Sequence, residues 1–206
     1  MHVSFFFDPG CPWCWITSRW LLEVAPHRSL DIEWRPFSLD HKNRAVERPD
    51  HVRCSFEATR RSLRVIEAAR QRHGGAVVGD LYTRIGGLVH HDGDRELDGL
   101  AAAVTASGID PDLLDAAVDE AWDAPILAAM AEVTELAGDD VGVPLMLVED
   151  GAGRRAFFGP VFSPAPHGEA AVAAFDGLVA LTAVPGFFEL KRGRDVGPLL
   201  PDRVEA

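Results

Sequence analysis

The chain opens on an apolar, aromatic-rich run, His2 to Phe7, which reads as a buried strand and stops at the turn residues Asp8-Pro9-Gly10. Apolar side chains then recur at helical spacing, at Trp13, Ile16, Trp20 and Val24, and predict a helix from about Pro12 to Ala25 that Pro26 closes. From Leu30 to Phe37 the pattern alternates. Leu30, Ile32, Trp34 and Pro36 fall on one side and Asp31, Glu33 and Arg35 on the other, so a second strand is expected. A βαβ unit results.

Past Pro49 the pattern turns helical. Cys54 to His73 has helical composition and ends at Gly74-Gly75. Further helices are predicted over Val77 to His90, over Glu96 to Ser107 and over Ala124 to Ala137, the last stopped by Gly138. Another is predicted to run to Trp122 from Asp110-Pro111, with the aspartate as N-cap and the proline first in the helix. Strand signals return at Val143 to Val148 and at Arg155 to Phe158, joined by Glu149-Asp150-Gly151-Ala152-Gly153 as a hairpin. A helix from about His167 to Leu181 follows, and the tail after Pro185 is expected to fray. The order βαβ, helices, ββα predicts an α/β protein with a thioredoxin fold interrupted by an all-helical insertion. Residues 1–48 and 142–206 form the expected thioredoxin-like domain and residues 49–141 the insertion domain.

Composition narrows the function. At 206 residues with 47% apolar side chains, the chain can bury a core without covalent staples. No apolar run reaches the roughly eighteen residues needed to cross a bilayer, and His2 to Phe7 is too short for a signal segment. A cytoplasmic protein with no membrane partner is expected. A net charge of −12 argues against nucleic acid as a partner, because phosphate binding draws on clustered Lys and Arg in excess. The spacing at Ile85-Gly86-Gly87 lacks a phosphate-loop fingerprint, and no nucleotide cofactor is indicated.

Three cysteines, Cys11, Cys14 and Cys54, are too few and too uneven for a disulfide framework. Cys11-Pro12-Trp13-Cys14, after a strand and opening a helix, suits redox chemistry. With Cys11 as N-cap, Pro12 takes the first helical position, where a missing N–H costs nothing, and Cys14 lies one turn on. The sulfurs are then close enough to cycle between dithiol and disulfide. The helix N-terminus favours negative charge on Cys11, which becomes the exposed nucleophile, while the deeper Cys14 keeps its proton until it resolves a mixed disulfide. Zinc needs four ligands, and Cys54, His41, His51, His90 and His91 lack partner-like spacing, so no metal is expected.

Several segments together resemble the DsbA-like branch of the thioredoxin superfamily: the CPWC motif, the helical insertion, and Gly142-Val143-Pro144 opening a later strand. FFFDPGCPWCWITSRWLL, LYTRIGGLVHHDG, FFGPVFSPAPHGEAA and FFELKR resemble more narrowly the mycothiol-dependent nitroreductase family of actinobacteria. The resemblance implies a thiol-disulfide oxidoreductase with Cys11 and Cys14 catalytic, recycled by the low-molecular-weight thiol mycothiol, and a small acceptor such as a nitroaromatic compound. It implies no tightly bound cofactor. It also implies a cis peptide at Val143-Pro144, with the Val143 backbone facing the reactive sulfur. Pro12, Trp13, Asn43, Val143 and Pro144 are the expected substrate-binding residues, Trp13 as either platform or cover and Asn43 as either overhanging loop or plain turn. A second copy of the chain is kept as a candidate partner.

Two related activities compete: a DsbA-type protein disulfide oxidoreductase, and the kappa-type glutathione transferase and hydroxychromene-carboxylate isomerase group, whose reactive-turn residue is typically serine. For the remaining candidates the plainer reading is preferred. Trp15, Trp20 and Trp34 are core, His90 and His91 a solvated helix end, Arg60, Arg61 and Arg64 a solvated face, and Cys54 a lone helix cysteine.

Overall fold

The computed structural model describes residues 1–47 and 49–203, with the side chain of His51 also outside the described set. A four-stranded sheet has the order β2-β1-β3-β4, built from β1 (His2–Phe7), β2 (Asp31–Pro36), β3 (Leu145–Asp150) and β4 (Gly153–Phe158). β1 runs parallel to β2, with Phe5 opposite Trp34, and antiparallel to β3, which pairs with β4. A parallel neighbour requires a crossover, supplied by α1 (Pro12–Arg28). Val3, Phe5, Phe6 and Phe7 point to both faces of β1 and are all buried, so helices must cover both faces of the sheet.

Between β2 and β3 come α2 (Leu39–Lys42), α3 (Asp50–His73), α4 (Ala76–Gly87), α5 (Leu100–Ala106) and α6 (Asp123–Ala137), and after β4 comes α7 (Gly168–Thr182). α4 is laid on the sheet through aromatic rings: Tyr82 lies 3.9 Å from Phe7 and 5.7 Å from Trp34 between centroids. α7 packs on α1, where the Trp20 indole N–H donates to the Ala171 carbonyl at 3.1 Å and its ring meets Phe175. α6 packs against β2 and β4. Trp15, Trp20 and Trp34 are core, as read from the sequence.

Several boundaries differ from the sequence expectation, each for a local reason. Pro26 does not close α1, which continues to Arg28 and ends at Ser29 in the left-handed region. The carbonyl four residues back that lacks a Pro26 N–H belongs to Leu22, a residue 40% exposed. The helix expected from Glu96 begins only at Leu100, because Leu97 takes a positive φ of 59° and the Asp94 carboxylate accepts from the N–H groups of Asp98 and Gly99. Asp110 makes no capping bond. Its carboxylate faces Arg72 and His73 instead, and the following segment winds as 3₁₀ turns over Pro111–Val118 and Glu120–Trp122. α4 passes into one π-helical turn, Leu88–Asp92.

Candidate active site

Cys11 is the N-cap of α1, with Pro12 in the first turn. Its sulfur accepts the Cys14 N–H at 3.4 Å, and its thiol lies 3.8 Å from the Val143 carbonyl. The Val143–Pro144 peptide is cis, and the loop it belongs to leads directly into β3 at the centre of the sheet. β1, α1 and the loop before β3 thus converge on one sulfur. One expectation is corrected: Cys11 is only 6% exposed, so the nucleophile is recessed, and the half-buried Pro12 and Trp13 form the accessible surface of the motif. Val143 covers the thiol that the sequence leaves open.

Cys14 is fully buried, and burial pushes its thiol well above the usual value, with the hydrogen bond and charge of Cys11 adding to the rise. The Asp8 N–H points at its sulfur, and the Asp8 carboxylate acts on it from nearby. Sequence reading treats Asp8 only as a turn residue. In the structure it is 1% exposed, accepts from the N–H groups of Gly10 at 2.9 Å and Leu39 at 2.8 Å and from the Thr59 side chain, and meets no cation among the described residues. Burial therefore wins, and its carboxyl is raised to about 6 against those hydrogen bonds. The available signal was an acid placed directly after five buried strand residues and three before a redox cysteine.

A cavity of about 390 Å³ opens beside this turn, lined by Asp8, Gly10, Leu39, Cys54 and Thr59. The turn presses hard on α3: a Cβ built on Gly10 would lie 2.8 Å from the Thr59 methyl carbon, which explains glycine before Cys11. A second cavity of about 440 Å³ is lined by Asp40, Asn43, Arg44 and Arg53, and shares Phe56 with the first. Asn43 is thus not brought against the cysteines. Its side-chain N–H donates to the Leu39 carbonyl at 2.9 Å as a helix-end bond.

His90 and His91 are not a solvated helix end. Both rings pack on Trp15, at 5.6 and 5.9 Å, from the π-helical turn. The His90 ring bonds to the Pro9 carbonyl of the redox turn, while burial lowers its pKa to about 4 and keeps it neutral. Arg19 stacks on the same indole at 4.2 Å and donates to Thr83 at 2.9 Å. Burial brings Arg19 down to about 10, so it stays charged at neutral pH. The arginine face of α3 is also corrected. Arg64 is buried and bidentate to Asp123, and Arg60 reaches Asp40; Arg61 alone of the three keeps a surface pair, with Glu57.

Among the described residues no group of three or more His, Cys, Asp or Glu side chains is arranged to hold a metal ion, and no helix is long and apolar enough to cross a membrane. Cys54 is exposed and lines the cavity beside Gly10.

Comparison with known proteins agrees with this architecture. A family model described as Rv2466c-like, mycothiol-dependent nitroreductase Rv2466c, matches residues 10–192. The uncharacterized protein Rv2286c of Mycobacterium tuberculosis is 30% identical over 92% of this chain and 81% of its own. The cytosolic disulfide reductase DsbM of Pseudomonas aeruginosa superposes with a TM-score of 0.59 at 16% identity, over 88% of this chain and 100% of its own. A 2-hydroxychromene-2-carboxylate isomerase superposes with a TM-score of 0.58 at 16% identity, over 87% and 94%. A reductase and an isomerase on one fold show that the backbone alone does not choose the chemistry.

Proposed function

This chain belongs to the Rv2466c-like family, which places it among thiol oxidoreductases, and on that premise we propose that Cys11 and Cys14 cycle between dithiol and disulfide to reduce small nitroaromatic-type acceptors at the expense of mycothiol. In the reductive half, the two thiols give two electrons and two protons. A nitro group leaves as nitroso and water, and a Cys11–Cys14 disulfide forms. One mycothiol thiolate then attacks the Cys11 sulfur, forming a mixed disulfide and expelling Cys14 as thiolate. A second mycothiol attacks the mixed disulfide at its own sulfur, releasing mycothiol disulfide and restoring Cys11. The cycle runs in the cytoplasm and uses no tightly bound cofactor.

The carrying observation is the Cys11 sulfur, held at a helix N-terminus by the Cys14 N–H and 3.8 Å from the Val143 carbonyl. That carbonyl and Pro144 line the strip where an incoming thiol pairs, and Pro12 and Trp13 offer the apolar surface beside it. Asp8 carries the proton of Cys14: with a pKa of about 6 it is roughly nine-tenths ionised at pH 7 and ready to accept. Residues 49–141 act as the insertion domain and form the second wall of the cleft, through Cys54 and Thr59. Asn43 borders the second cavity, whose polar lining of Asp40, Arg44 and Arg53 supports it as the site for the polar portion of the thiol.

Replacing Cys11 by Ser is expected to reduce mycothiol-dependent turnover by about a thousandfold or more, measured as nitro-compound consumption. Full activity in Cys11→Ser would remove the assignment. A Cys14→Ser protein is expected instead to trap the Cys11–mycothiol adduct, visible by mass spectrometry.

A further inference from the structure

The tail after α7 is expected to fray, yet it docks across the redox motif. The Arg194 guanidinium lies 5.1 Å from the centre of the Trp13 ring. Three residues on, the Gly197 carbonyl accepts from the Ser163 hydroxyl at 2.6 Å, and the Leu199 N–H donates to the Ser163 hydroxyl oxygen at 2.8 Å. Arg203 then pairs with Asp92 on the π-helical turn. The segment is pinned on both sides of the motif. Its residues beyond 192 lie past the match to the family model.

Most exposed arginines here are spoken for by carboxylates: Arg28 by Asp176, Arg72 by Asp112 and Arg154 by Glu132. Lys191, Arg192 and Arg194 pair with no carboxylate among the described residues, although Glu189 and Asp195 are close in sequence. A guanidinium stacked on an indole uses its face, and its N–H edge stays free for an anion. In a protein of net charge −12 such a local cation decides whether an anion is admitted. Because Cys11 is 6% exposed and Cys14 is fully buried, a molecule reaching the thiol from the α1 side passes Trp13 and so meets Arg194.

We infer that Trp13 and Arg194 form a specificity subsite for acceptors that combine an aromatic ring with an anionic group, the ring lying against the indole and the anion on the guanidinium edge. The inference deepens the proposed reductase reading and rests on it for the identity of the ligand as an acceptor. Binding can be read separately from turnover. In a Cys11→Ser background, 4-nitrobenzoate and the neutral 4-nitrobenzamide are titrated against tryptophan fluorescence. The benzoate is expected to bind about fivefold more tightly, the scale of an exposed ion pair, and to lose that advantage in Arg194→Ala and in about 0.5 M salt, while the benzamide is unchanged. Equal binding of the two, no binding of either, or equal weakening of both by Arg194→Ala would overturn the subsite. Turnover by the protein with Cys11 intact judges the other reading: discrimination in binding without any nitro reduction would sink the reductase proposal and leave the subsite standing. Reduction of both compounds at equal efficiency would sink only the subsite.

Discussion

Two carboxylates at the seams between the sheet and the helical stretch have opposite fates. Asp123 lies between α3 and α6 and is met by Arg64 through two bonds of 2.6 and 2.7 Å, with His41 at 3.6 Å and Arg60 at 3.8 Å. Burial pushes its pKa up, but these cations outweigh burial and hold it below the usual carboxylate value. Asp8 lies at the redox turn, accepts from two backbone N–H groups and the Thr59 hydroxyl but has no cation among its described partners, and is raised to about 6. One acid is a fixed charge that ties elements together. The other titrates about one unit below neutral pH, beside a thiol that must lose its proton. A buried carboxylate becomes a staple or a proton carrier according to whether a cation shares its burial.

The largest expected effect breaks the ionic seam. Asp123→Ala leaves the Arg64 guanidinium, only 4% exposed, without its carboxylate, and a loss of about 3–5 kcal/mol is expected by chemical denaturation. The stability from Asp123 is complete above pH 3.8 and is lost as pH falls through its lowered folded value. A change within a few tenths of a kcal/mol would show that Arg64 is satisfied by its bond to the Ala117 carbonyl and by the Glu120 carboxylate at 3.8 Å.

Asp8 sharpens the contrast because its sign is reversed. Its folded pKa is raised, so the folded state binds more protons than the unfolded one, and stability contributed by the neutral acid is lost as pH rises from 3.8 through about 6. The gap corresponds to about 3 kcal/mol. Asp8→Asn carries no such titration, so relative to the unsubstituted protein it is expected to gain up to about that amount between pH 4 and pH 7. Its turnover at pH 7 is expected to drop by about tenfold or more. Parallel stability curves for the two proteins would show that Asp8 does not titrate in this window.

The smallest effect probes the packing beside the redox helix. A Cβ on Gly86 would fall 2.2 Å from the Trp15 ring, whereas on the neighbouring Gly87 the nearest atom is 3.7 Å away. Gly86→Ala is expected to cost about 1–3 kcal/mol by overpacking, and Gly87→Ala to be neutral or to gain up to about 1 kcal/mol from helix propensity. Equal thermal midpoints for the two variants would mean that α4 and α1 part without cost.

The elements read most accurately from the sequence are those whose register is set by short-range pattern. β1 is found at His2–Phe7 as expected, and α3 stops at His73 where Gly74 takes a φ of 84°. The helical stretch is read less well, because side chains far apart in sequence decide its ends: Asp110 faces Arg72 rather than its own helix, and Asp94 caps a turn that propensity alone does not reveal. Candidate residues divide the same way. Cys11, Cys14, Val143 and Pro144 come together as expected, whereas Asn43 lines a separate cavity and His90 and His91 leave solvent for Trp15.

The sequence by itself determined the strand-turn-helix that makes Cys11 an N-cap, since proline at the first helical position and a cysteine one turn later act within a few residues. Tertiary structure alone decided what surrounds those sulfurs. The Val143 carbonyl is 132 residues away along the chain from Cys11, and Arg194 reaches Trp13 from the far end of it. The reason is physical: burial, and the distance between a charge and its nearest partner, are set by packing of distant segments. Those quantities give Asp8 its raised pKa and Asp123 its lowered one.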